Sequence, residues 1–80
     1  MYGIKHGLEF YRDVMYALID ADKSQKELVA AVNDLRMLRG MPRVTYSYVN
    51  NMIRGLRPAS KELLDAIEIL CGVRIAVEEN

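Results

Sequence analysis

The chain has 80 residues, 51% of them hydrophobic, with 11 basic and 11 acidic side chains that cancel at pH 7. That length allows one small domain with little room for both a core and a deep catalytic cleft, and the apolar content excludes a disordered chain. The single cysteine, Cys71, excludes an intrachain disulfide and a thiolate metal cluster.

Residues 8–21 place Leu8, Tyr11, Met15, Leu18 and Ile19 at helical spacing, which predicts a first helix ending around Asp20–Lys23. Ahead of it, Lys5 and His6 lie in an N-terminal arm. The sequence SQKE, Ser24 to Glu27, predicts a second helix, because a serine cap and a glutamate three residues on satisfy two orphan amides reciprocally. Its stripe is Leu28, Val32, Leu35 and Leu38, which carries the helix as far as Arg39, where Gly40 can end it. Pro42 biases Met41 away from helical geometry, so 40–44 reads as a connection. A third helix is expected from a Thr45 cap to Arg54, bounded by Gly55, with Val49, Met52 and Ile53 inward. Tyr46, Ser47, Asn50, Asn51 and Arg54 are then left outward. After a loop holding Pro58, Ser60 caps a fourth helix with the stripe Leu63, Ala66, Ile67 and Leu70, ended by Gly72. Cys71 reads as a small core residue near that end. The tail 73–77, VRIAV, is β-branched and partly alternating, a candidate short strand. No segment reaches the ~18 apolar residues that span a bilayer. The N-terminus also lacks the apolar run of a secretory signal, so the expected location is the cytoplasm.

Charge is unevenly placed along these elements. Residues 35–57 hold Arg36, Arg39, Arg43, Arg54 and Arg57 with no acid, while both flanks are net acidic. Arginine is the cation whose planar fork suits phosphates and base edges. A cationic centre between acidic flanks can concentrate a polyanion on one face. The alternative is that these arginines are scattered over solvated faces.

In this order the pieces SQKELVAAV, VTYSYVNNMIRG and LRPASKELLDAIEILCGV resemble the helix-turn-helix domain of lambda repressor, Cro and their bacterial relatives, over roughly residues 9–73. The resemblance implies an all-α fold: a lambda-repressor-like domain of four or five helices, spanning 1–80, with the motif at 24–55 and a possible short C-terminal strand. Gln25, Leu28, Val32, Val44, Val49, Met52 and Gly55 stand at the family's characteristic places. Four positions depart from the pattern. Val29 replaces a small residue, Asn33 stands where the turn has glycine, and about ten residues, 34–43, enlarge that turn. Ile53 stands where many relatives pair a glutamate with a first-helix arginine, here Arg12.

The function implied is a sequence-specific double-stranded DNA-binding transcription regulator, a repressor or Cro-like protein of a phage or mobile element. It would bind a pseudo-palindromic operator as a homodimer. Base contacts are expected at Tyr46, Ser47, Asn50, Asn51 and Arg54, and phosphate contacts at Gln25, Arg39, Arg43, Thr45 and Arg57. The dimer is expected through Val73, Ile75 and Val77, pairing the tail edge to edge. Arg36, Arg39 and Arg43 on the extension are expected to add phosphate contacts, or else to solvate a segment that thickens the core. No catalytic residue, metal, cofactor, small-molecule ligand or membrane partner is expected. His6 has no paired nucleophile, and Glu62, Asp65 and Glu68 read as a solvated face rather than a metal site. The competing reading is a protein-interaction module, an antitoxin or small phage protein, that binds through 34–43 with Met37 and Met41 as an adaptable patch.

Overall fold

The starts of the last three of the four helices each carry a side-chain cap. The computed structural model describes residues 3–5 and 9–76; side chains are described for 9–75. The elements run β1 (Gly3–Lys5), α1 (Phe10–Asp20), α2 (Gln25–Leu38), α3 (Tyr46–Ile53), α4 (Lys61–Cys71) and β2 (Arg74–Ala76). Ser24 and Glu27 form the expected reciprocal cap on α2, and the Thr45 and Ser60 hydroxyls accept the amides of Tyr48 and Leu63 at the starts of α3 and α4. The C-terminal ends of α2 and α3 close in the same way. Gly40 and Gly55 sit at φ +70° and +82°. The following amides, Met41 and Leu56, reach back to the carbonyls of Arg36 and Asn51. Only a residue without Cβ takes that left-handed turn without strain.

The core is built from all four helices and the tail: Phe10, Val14, Ala17 and Leu18 of α1, Leu28 and Val32 of α2, Val49, Met52 and Ile53 of α3, Leu63, Ala66 and Ile67 of α4, and Val73. The α3 stripe is as expected. The α1 stripe is rotated. Phe10, Val14 and Ala17 are buried, whereas the expected Tyr11 and Ile19 are exposed, Ile19 at 71%. Two helical rows were available on α1, and the row led by the larger Phe10 faces inward while the tyrosine row, with its hydroxyl, stays in water. Leu38, expected in the α2 stripe, is 81% exposed, and its inward place is taken by Arg36.

Residues 34–38 belong to α2, so the second helix is lengthened and the enlarged turn proper is the seven-residue stretch 39–45. At the other end of the molecule β2 pairs in parallel with β1, Ile4 opposite Ile75. The first strand was not anticipated: GIK is too short for any period to show. His6, Leu8 and Val77 lie outside the described residues. No helix among those described is long and apolar enough to cross a membrane.

Candidate nucleic-acid interface

The approach to α3 is held by α2 through side chains that mimic backbone. Asn33, buried to 6% exposure in mid-helix, brackets Val44: the Val44 amide donates to Oδ1 (2.8 Å) and Nδ2 donates to the Val44 carbonyl (3.1 Å). One turn on, Arg36 Nε donates to the Pro42 carbonyl (2.6 Å) while the Arg36 carbonyl accepts the Met41 amide. Four backbone polar groups of an irregular segment are thereby paired. Where a shorter turn needs glycine, the extended helix uses an asparagine facing inward.

Arg39, at the end of α2, forks onto α4. Its Nη1 meets Glu62 (2.8 Å) and its Nη2 meets Asp65 (2.9 Å). These bonds hold both carboxyls below the usual carboxylate range and push the guanidinium up. Glu62 and Asp65 are therefore an inter-helix clamp and not the solvated face expected, and Glu68 is likewise engaged, accepting the Ile75 amide (2.8 Å). Two of the five central arginines, Arg36 and Arg39, thus bond within the chain, where the sequence left a phosphate contact and a solvated position both open. Nothing local in the sequence marks the Arg39 clamp, since its partners lie 23 and 26 residues away. The spacing of Glu62 and Asp65 on one helix face was the only sign.

The outward face of α3 meets the start of α2. The Tyr46 hydroxyl donates to Gln25 Oε1, and Gln25 Nε2 donates to Asn50 Oδ1 (2.9 Å). Tyr46 and Asn50 are four apart, so one face of α3 carries both, and Gln25 ties that face to the first turn of α2. The Gln25 and Lys26 amides there have no intrahelical acceptor, as at any helix start. Ser47 and Arg54 are exposed and Asn51 is half-buried; the side chains of all three are without intrachain partners among the described residues. Arg43 is exposed just before α3, and Arg57 just after it lies over the Tyr48 ring, 4.4 Å from its centre. Thr45 spends its oxygen on the cap and keeps its proton to donate. Six of the expected contact residues, Gln25, Tyr46, Ser47, Asn50, Asn51 and Arg54, are therefore on α3 or bonded to it. Arg43, Thr45 and Arg57 flank it, and Arg39 is bound elsewhere.

Of the expected dimer residues, Val73 and Ile75 are among the described residues. Val73 is buried in the chain's own core, Ile75 is half-buried, and the Ile75 amide, turned away from β1, is taken by Glu68. Ile53, at 1% exposure, fills core where relatives of the resembled family place an acid. Arg12 instead pairs with Glu9 (2.6 Å) and Asp13 (3.9 Å) on its own helix. Cys71 is half-buried, and burial pushes its thiol up.

Beside the connection a groove of about 300 Å³ is lined by Asn33, Asp34, Met37, Met41, Pro42 and Arg43. Met37 and Leu38 stand exposed next to it, at 71% and 81%. Among the described residues no cluster of histidine, cysteine or carboxylate groups could hold a metal. No family model, no curated protein and no solved structure matches the chain.

Proposed function

We propose that the protein is a sequence-specific double-stranded DNA-binding regulator of the lambda-repressor and Cro type. In this reading α2 and α3 are its helix-turn-helix, and α3 enters the major groove. The observation that carries the proposal is the bond path Tyr46–Gln25–Asn50. It joins the amide-rich start of a 14-residue helix to the polar face of an 8-residue one, so a phosphate held at the first lies beside base edges read by the second. Asn51 is the group with both amide functions unspent, suited to the N6 and N7 edge of adenine; Ser47 lies on the same short helix and Arg54 at its C-terminal cap. Arg43 and Arg57 on either side supply the phosphate grip. Such a small unit reads few base pairs, so two copies on a pseudo-palindrome supply the specificity.

Selection from a randomised duplex library tests this. A recovered motif bound on the order of 10³-fold more tightly than scrambled DNA at equal salt is the expected result. Asn51→Ala should then relax one base pair in each half-site while leaving the others. Recovery of no motif sinks the proposal.

A second reading is favoured by one observation, the exposed Met37 and Leu38 beside the groove at 33–43. There the chain is a protein-interaction module and the polar face of α3 is secondary. Removing the segment would confound that test, because Arg36 and Arg39 hold the fold together. The double change Met37→Lys with Leu38→Lys keeps both. Unchanged DNA selection by that variant supports the DNA reading.

A further inference from the structure

We infer that Asn50 reads guanine as a hydrogen-bond donor only, its polarity fixed by Gln25 and Tyr46. The inference rests on the DNA-binding reading above and names what one residue of that face selects. The path runs in one direction. Tyr46 gives its single hydroxyl proton to Gln25 Oε1, which turns Gln25 Nε2 toward Asn50. Asn50 meets that donor with Oδ1, so its oxygen is turned toward Gln25 and its Nδ2 protons face outward. That amide nitrogen has no intrachain partner, and no buried side-chain nitrogen or oxygen among the described residues lacks one, so Nδ2 opens to solvent.

In the major groove guanine shows two acceptors, N7 and O6. Adenine pairs its N7 acceptor with an N6 donor, and cytosine shows a donor at N4. A group that can only donate matches guanine, and meets an amine with an amine on adenine or cytosine. The usual asparagine–adenine pair needs both ends of the carboxamide free. Asn51 has both; Asn50 has one. Neighbouring asparagines on α3 therefore have different preferences, which the sequence NN alone would not separate. Gln25 and Tyr46 act as positioning residues: they set which end of Asn50 is presented.

The experiment compares duplex selections by the wild-type chain and Asn50→Ala, which identifies the base step that depends on Asn50. Oligonucleotides differing only at that step are then titrated. The expected result is guanine there, favoured over adenine on the order of tenfold. Tyr46→Phe and Gln25→Ala release the amide to turn over, so the guanine-to-adenine ratio at that step falls toward one while the step read by Asn51 keeps its preference. A general loss of packing would weaken every step together, and thermal unfolding of each variant shows whether it is folded. Asn50→Asp, an acceptor without protons, moves the preference to cytosine. Adenine at the Asn50 step, or a guanine preference unchanged in both Tyr46→Phe and Gln25→Ala, overturns the inference and leaves the DNA-binding reading standing. A wild-type chain that selects no motif overturns both.

Discussion

Asn33 is the residue on which the α2–α3 connection depends. Its side chain supplies one acceptor and one donor to the backbone of a single residue, Val44, as a neighbouring strand would, and it does so from the middle of a helix. Asparagine is unremarkable in helix interiors by propensity, so the reason for it here is tertiary. Removing it leaves the Val44 amide and carbonyl without partners in a half-buried setting. Asn33→Ala should therefore cost roughly 2–3 kcal/mol in denaturant unfolding at unchanged slope. Asn33→Asp keeps the acceptor for the Val44 amide but sets a carboxylate against the Val44 carbonyl, so it should not restore the loss. If Asn33→Ala unfolds at the wild-type midpoint, the bracket contributes nothing and the extended segment is held by Arg36 alone. The sequence marked position 33 as a departure from the glycine of the helix-turn-helix domains it resembles, without showing what replaces it. A glycine turn and an asparagine bracket solve the same problem by different means, one conformational and one by hydrogen bonding.

Among the elements, the caps and breaks were legible because they are local: SQKE, the Thr45 and Ser60 caps, and Gly40, Gly55 and Gly72 each act within a turn of chain. The helix faces were legible where one apolar row dominates, as in α3 and α4. They were not where two rows compete, as Phe10 and Tyr11 do on α1. Contacts between elements left almost no trace, and the joint between α2 and α4 is the clearest case. These two helices make the most extensive helix–helix contact, and Arg39 closes it on Glu62 and Asp65. Both carboxyls are held below their ordinary range, chiefly by hydrogen bonds from Arg39. A carboxylate depressed in the folded state adds stability that is full above the unfolded value, near pH 4, and that is lost as pH falls through the lower folded value. Arg39→Met keeps the packing of the stem and removes the charge. The variant should unfold at lower temperature at pH 7, and its deficit should narrow as the pH falls below about 4 because the wild-type carboxyls then protonate. A deficit of the same size at pH 7 and pH 3 would assign the effect to lost packing instead.

The whole molecule has no net charge, yet its cations are sorted. Two central arginines, Arg36 and Arg39, bond to other parts of the chain, and Arg43, Arg54 and Arg57 are left exposed around α3. That division decides how binding should respond to salt. Each phosphate neutralised by a free cation releases condensed counterions and contributes about 0.9 to the slope of log Kobs against log salt, so one protomer gripping phosphate through Arg43 and Arg57 should show a slope of about −2. Arg43→Ala and Arg57→Ala should each flatten it by about one unit while leaving the ranking of base sequences intact. Arg39→Met is the discriminating variant. It removes the same charge from the same stretch of sequence, so a protein held to DNA by its overall cationic centre would lose a unit of slope there too. If Arg39 belongs to the α4 clamp, the slope stays at the wild-type value, measured at a temperature where the variant is fully folded. A flattened slope in Arg39→Met would mean that the guanidinium leaves Glu62 and Asp65 when DNA arrives. The two acids would then be a resting place for an arginine that the nucleic acid recruits, and the stability of α2 on α4 would fall as the complex forms.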